Sequence, residues 1–270
     1  MPSYNVKVKF YSTGEIQLHT FPVSVSYGVD PKSSGCRCFD SSDNLKDKTA
    51  GKKNSSPTDR STSNFARSIR RTKNTVFDFS LNHKWDYFVT LTFDKENFDR
   101  YDFDSVSKYT RKFLNNFKNR YCYDLQYIGL PEFHKDGAIH YHFLMSGAHL
   151  SFYLADHTDQ KHYPGCFYLT SWKSNSIFEP VKNSVAVACY MCKYVVKDII
   201  VHSGHARYIR SRNLTSPEEE TFFYYNDELE GLDLSSYCLK QFEEDFDIIS
   251  CSDGIGGSNY FRLMPKKSPE

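Results

Sequence analysis

The chain has 270 residues, with 34 Lys and Arg against 33 Asp and Glu for a formal charge of +1, and is long enough to bury a core without cross-links. That balance excludes a globally basic protein that coats DNA or an anionic membrane, so any nucleic-acid contact must be local. No apolar run approaches the ~20 residues that span a bilayer, and Met1–Phe10 lacks the apolar stretch of a signal peptide; a cytoplasmic protein with its eight cysteines reduced is expected.

Charge is nevertheless uneven. Residues 1–75 carry 13 basic and 6 acidic side chains, 76–216 carry 17 and 14, and 217–270 carry 4 and 13. A basic front and an acidic tail suit a nucleic-acid or partner-binding chain, and equally a solvated tail. Tyr4–Phe10 and Glu15–Phe21 alternate as two strands about Thr13-Gly14. Residues 30–63 hold almost nothing apolar and read as a polar, disordered linker. Phe65–Phe79 reads as a helix with Phe65, Ile69, Val76 and Phe77 on one side and Arg67, Arg70, Arg71 and Lys73 on the other; the basic side is either a solvated face or a phosphate contact. Tyr87–Phe93 is the strongest strand, β-branched and aromatic throughout. Asp104–Tyr121 is a basic helix with Val106, Tyr109, Phe113, Leu114 and Phe117 inward. Leu125–Pro131 and Ala138–Met145 are strands of a hairpin through Lys135-Asp136-Gly137. An irregular stretch over 146–182 precedes a helix over about 183–201, and the acidic, aromatic segment past Ser216 shows no readable chemistry. The domain plan is therefore 1–29 as a strand pair, 30–63 as linker, 64–216 as the functional domain and 217–270 as an acidic segment.

Chemistry concentrates in Glu132-Phe-His134-Lys-Asp-Gly-Ala-Ile-His140-Tyr-His142. On a strand, His140 and His142 project to one face and Tyr141 to the other. Two imidazoles make half a metal site; a carboxylate added to them suits Mg²⁺, Mn²⁺ or Zn²⁺ and leaves positions open for substrate. A two-residue loop, Asp136-Gly137, would set Phe133 opposite His140 and turn Glu132 away. A three-residue loop with Gly137 left-handed sets Glu132 opposite His140 on its own face, and this loop, or another of the same parity, is expected. The CxxC at Cys189–Cys192 has no second pair beside it and is not read as a zinc site.

The second half is Tyr190-Met-Cys-Lys193-Tyr194-Val-Val-Lys197. At about 100° per residue, Tyr190, Lys193, Tyr194 and Lys197 share one arc, while Ala188, Met191, Cys192, Val195, Val196 and Ile199 fill the opposite one. The helix is expected to anchor by the apolar stripe and display two phenols and two ammoniums. With the hairpin, these parts define phosphoryl transfer in which a divalent ion polarises a phosphodiester, a phenol attacks phosphorus and a lysine offsets the phosphate charge.

These residues resemble the HUH endonucleases that initiate rolling-circle replication. Phe88-Val-Thr-Leu-Thr-Phe93 resembles their first motif, His140-Tyr-His142 with Glu132 their metal motif, and Tyr190-x-x-Lys193-Tyr194-x-x-Lys197 their tyrosine motif, in family order over about residues 65–200. The nearest types are initiators of small plasmids, filamentous phages and single-stranded DNA viruses. The resemblance implies an α+β fold with a central antiparallel sheet of ferredoxin or RRM type, helices packed on it and the tyrosine helix beside the metal hairpin. It implies Glu132, His140 and His142 as ligands for Mg²⁺ or Mn²⁺ ahead of Zn²⁺, His134 as a supporting neighbour, and Tyr190 as nucleophile with Lys193 as helper. Tyr194 would be a second nucleophile or a spare, and Lys197 belongs to the same catalytic set. Phosphates would meet Arg67, Arg70, Arg71 and Lys73, and DNA would also meet Thr90 and Thr92. The product would be a 5′-phosphotyrosine link to single-stranded or hairpin origin DNA. No GxxxxGK[ST] follows the nuclease region, so unwinding and synthesis are expected from a host helicase and polymerase, with no membrane partner. Relaxases and transposases sharing the same chemistry, or a non-catalytic DNA-binding protein on the same sheet, are the alternatives.

Overall fold

A computed structural model describes residues 3–26, 57–197, 206–253 and 258–266, with the side chains of 57–67, 196–197 and 253 outside that description. In chain order the elements are β1 (Ser3–Phe10), β2 (Ile16–Ser26), α1 (Pro57–Leu81), β3 (Tyr87–Leu91), α2 (Phe103–Arg120), β4 (Gln126–Phe133), β5 (Ile139–Ser146), β6 (Leu154–Asp156), β7 (Phe167–Leu169) and β8 (Ser176–Pro180). They continue with α3 (Ser184–Lys197), β9 (Ile209–Arg210), β10 (Glu218–Phe222), α4 (Leu234–Lys240), β11 (Phe246–Asp253) and β12 (Asn259–Pro265). Among the described residues the protein is mixed α+β, with two antiparallel sheets and four helices, compatible with the HUH fold. The chain divides into two compact units, Pro57–Ser216 and a second made of the segments on either side of it.

Unit Pro57–Ser216 is built on a seven-stranded sheet of order β6-β7-β8-β3-β5-β4-β9. Alternation along its central strands sorts residues onto two faces. Val89, Leu91, Phe93, Tyr127, Ile139, Tyr141, Phe143 and Met145 form one core, against which α2 lays Val106, Leu114 and Phe117. Helix α2 starts where Asp102 accepts the Asp104 backbone N–H at 3.1 Å, and its buried positions recur at helical spacing. Gly129 belongs to this face of β4, where a Cβ would collide with the Phe143 ring. On the other face Ile128, Leu130 and Leu144 meet Val76 and Phe79 of α1 and Met191, Tyr194 and Val195 of α3. The stretch expected to be irregular, 146–182, contributes three strands, and β8 pairs with β3 from Tyr87↔Pro180 to Leu91↔Ser176. Pairing with an exposed strand edge, rather than local propensity, makes a strand of Ser176–Pro180. Helix α1 begins at Pro57, so residues 57–63, read as linker, are helical; proline is well suited to a first helical turn, where its missing N–H has no partner to lose. Residues 27–56 lie outside the described ones.

The other unit holds the sheet β10-β1-β2-β12-β11. The strand pair expected at 1–29 is there, from Val6↔Thr20 to Phe10↔Ile16, with Gly14 left-handed at φ 87° in the turn. Strands from the acidic segment join this pair in one sheet: β10 pairs with β1 and β12 with β2. Val6, Val8, Ile16, Leu18, Phe261 and Leu263 share a core with Cys238 of α4. Some charges of the two segments pair across this sheet. Lys7 pairs with Glu219, Lys9 lies 3.9 Å from the same carboxylate, and Arg262 holds buried Glu15 through two bonds of 2.5 and 2.9 Å.

The six cysteines within the described residues are free, and no helix there is long and apolar enough to cross a membrane.

Candidate active site

The hairpin of β4 and β5 sets the site. His134 N–H donates to Ala138 O at 2.9 Å and Gly137 N–H to His134 O at 2.8 Å, enclosing the three-residue loop, with Gly137 at φ 87°. Only glycine takes that left-handed position without strain. The loop is tied back by an Arg100–Asp136 ion pair at 3.3 Å and by Ile139 N–H donating to Arg100 O at 2.9 Å. The ladder runs Phe133↔Ile139, Glu132↔His140, Leu130↔His142, which puts Glu132, His140 and His142 on one face. That is the parity expected of the odd-length loop.

Strand β3 lies on the other side of β5, with Thr90 opposite His142. Its even-numbered residues share the histidine face. Thr90 Oγ1 is 3.1 Å from His142 Nδ1, and Thr92 Oγ1 is 3.2 Å from His140 Nδ1. These threonines, read as DNA contacts, thus meet the imidazoles. His142 Nε2 donates to Glu132 Oε2 at 2.6 Å. A threonine hydroxyl both donates and accepts, so it suits either tautomer of the ring it touches. The His134 and His140 rings stack at 3.9 Å and 27°, with His134 exposed, which places it as a neighbour of the pair.

Both imidazoles are held neutral. Burial pushes His140 down to about 4, helped by the nearby His134 and His142 and opposed by Glu132. His142 is lowered too, burial outweighing the Glu132 carboxylate that favours its charge. Neutral imidazole is the form that ligates metal. Among the described residues no group of three His, Cys, Asp or Glu side chains stands in metal-holding geometry; the Glu132–His142 hydrogen bond occupies the two converging donors. Two imidazoles and one carboxylate on one face are donor types that can ligate a divalent ion.

Helix α3 reaches this face through its apolar stripe. Ala188, Met191, Cys192 and Val195 are buried, and the Cys192 thiol donates to Lys73 O of α1 at 3.7 Å. Burial pushes that thiol up to about 12, so it stays protonated. Tyr194 departs from the expected display: it is 8 % exposed and its ring stacks on His142 at 4.2 Å and 18°. Its position on the helix borders the apolar stripe, and the sheet covers it. Burial, then its bond to Tyr190 and the charge of Glu132, raise its phenol well above the ordinary value. Tyr190 is 43 % exposed, meeting Tyr194 edge-on at 5.2 Å and Phe88 at 5.4 Å. Lys193 Nζ sits 5.4 Å from the centre of the Tyr190 ring. Helix α3 includes Lys197, but that side chain lies outside the described residues, as does that of Arg67 in α1. Further along α1, Arg71 is exposed while Arg70 and Lys73 are half-buried.

Sequence reasoning missed Phe88, whose ring lies 5.6 Å from His142 at 16°, nearly parallel. The period-2 pattern of Phe88, Thr90 and Thr92 was the signal for it. It also missed the Arg100–Asp136 tie, for which local sequence carries none.

The chain matches no curated protein and no solved structure. Residues 86–199, somewhat under half the chain, contain β3 through α3 and match the family model described as replication-associated protein ORF2/G2P, consistent with a Rep-type rolling-circle replication initiator.

Proposed function

We propose that this protein starts rolling-circle DNA replication by nicking and rejoining single-stranded or hairpin origin DNA through Tyr190. The observation that carries this reading is the convergence of α3 on the histidine face: Tyr194 stacks on His142 and Tyr190 stands beside it, half-open to solvent. Tyr190 is the nucleophile because it alone of the two phenols is open to a phosphodiester. Its oxygen bonds to phosphorus while the P–O3′ bond breaks, and the phenolic proton ends on the departing 3′ oxygen. The product is a 5′-phosphotyrosine and a free 3′-hydroxyl, and because one phosphoester replaces another the step runs backward to rejoin the strand. Lys193, above the Tyr190 ring, offsets the phosphate charge.

Glu132, His140 and His142 would hold a divalent ion, Mg²⁺ or Mn²⁺, which when bound polarises a phosphate oxygen. Thr90 and Thr92 orient the imidazoles through Nδ1 so that Nε2 would ligate, which for His142 means releasing its bond to Glu132. Tyr194 covers His142 and excludes water from it rather than attacking phosphorus. Arg70, Arg71 and Lys73 of α1 contact phosphates. A host helicase and polymerase complete replication.

The test is incubation of the full chain with origin oligonucleotide and Mn²⁺ or Mg²⁺. A covalent protein–DNA adduct that forms in the Tyr194→Phe variant, and is lost in Tyr190→Phe and with chelator, is the expected result. No adduct in the native protein, or one that persists in Tyr190→Phe, overturns the reading.

A further inference from the structure

Helix α2 and the strands β4 and β5 end, away from the hairpin, in a group of exposed rings that the nicking chemistry does not use. Tyr121 is 46 % exposed, Tyr123 74 % and Phe152 77 %. They are clustered, with Tyr123 and His149 at 5.7 Å, His149 and Phe152 at 6.0 Å, and Tyr121 and Tyr153 at 5.2 Å. Isolated exposed rings are ordinary on a protein surface; a contiguous set marks an interaction site.

The rings stand on a fixed base. Asp124 accepts the Ala148 N–H at 2.7 Å and the Cys122 thiol at 3.3 Å, and Leu125 N–H donates to Cys122 O at 2.9 Å. A Cβ on Gly147 would come 2.8 Å from Cys122 Sγ, so the two loops pack closely. Leu150, fully buried, pins the short 3₁₀ turn Leu150–Tyr153 that carries Phe152. Cations adjoin: Lys118 and Arg120 form the last turn of α2, immediately before Tyr121. The one carboxylate in the cluster, Asp124, is already engaged by the backbone and a thiol.

Flat apolar faces beside positive charge fit a polymer of exposed bases and phosphates. Duplex DNA hides its base faces and a folded protein partner would not require the cations, so the chemistry selects a single strand. We propose that Tyr121, Tyr123 and Phe152, with Lys118 and Arg120, form a second, sequence-tolerant binding surface for single-stranded DNA. It lies at the far end of β4 from Glu132, about 20 Å along the strand counting six residues from Gln126 at ~3.4 Å each, with Tyr121 packed on Phe117 of the α2 face. The proposal takes only the polymer class from the reading of the active site, not the nicking step.

The experiment is fluorescence anisotropy of the full chain with labelled oligo(dT), which carries no origin. Tyr123→Leu/Phe152→Leu is expected to bind about 10- to 100-fold more weakly, Tyr123→Trp/Phe152→Trp to bind as the native protein does, and Lys118→Glu/Arg120→Glu to flatten the salt dependence. Adduct formation on an origin oligonucleotide too short to reach the surface stays unchanged in all three. Leucine-variant binding within twofold of native, or a change in sedimentation without a change in oligo(dT) affinity, overturns the proposal. Absence of any adduct in the native protein together with the expected oligo(dT) losses would reject the nicking step and leave this surface standing.

Discussion

Replacing Thr90 and Thr92 by valine keeps the shape of β3 and removes the two hydroxyls that touch His142 Nδ1 and His140 Nδ1 at 3.1 and 3.2 Å. Each ring nitrogen then faces a methyl group inside a protein-lined site. A buried polar atom left without its partner costs roughly 1–3 kcal/mol, and in the metal-bound state that cost falls on Nδ1–H, which must be protonated for Nε2 to ligate. Loss of such supporting bonds lowers metal affinity about 10- to 100-fold. Mn²⁺ titration by calorimetry is the assay: each single valine variant should weaken binding by about tenfold or more, the double variant further, and serine at either position should restore it. Native Mn²⁺ affinity in the double valine variant, or failure of serine to restore a loss, would refute the claim that the threonines orient the ligands.

Arg262→Ala should destabilise the unit containing β1 and β12 by about 3–5 kcal/mol, because it leaves the fully buried Glu15 carboxylate unpaired; thermal denaturation reads the loss, and a change under 1 kcal/mol contradicts it. His19 is lowered to about 3 by burial and by the Lys9 and Lys7 ammoniums, so the unfolded chain takes up its proton near 6.5 while the folded one does not. Stability should therefore fall as pH drops from 6.5 toward 3, by about 1.4 kcal/mol per pH unit more in the native protein than in His19→Gln; equal slopes in urea titrations would refute this. Gly129→Ala should cost about 1–3 kcal/mol by driving a methyl into the Phe143 ring, and native-like melting would contradict the packing described for that face.

Much of the candidate site's scaffold was legible because local rules set it. Gly137 and the parity of the loop determine which face Glu132 takes, and the period of two places both histidines there. The stripe Ala188, Met191, Cys192 and Val195 likewise declared which side of α3 would be buried. Tyr194 was misplaced because a helical wheel puts it at the border of that stripe, where the decision belongs to the His142 ring it packs against. Thr90 and Thr92 were assigned to DNA because only their strand neighbours reveal that their hydroxyls point at imidazoles. The association of β10 and β12 with β1 and β2 was out of reach for a related reason: these partners lie some 200 residues or more apart, and no local pattern in Glu218–Phe222 or Asn259–Pro265 names them.

The central claim is that Tyr190, and not Tyr194, forms the bond to DNA. Trapping the full chain on an origin oligonucleotide with Mn²⁺, digesting it and locating the nucleotide-bearing peptide by mass spectrometry tests this in one measurement. A single modified residue, Tyr190, is the expected result; modification of Tyr194, of a residue outside α3, or of none would contradict attack by Tyr190.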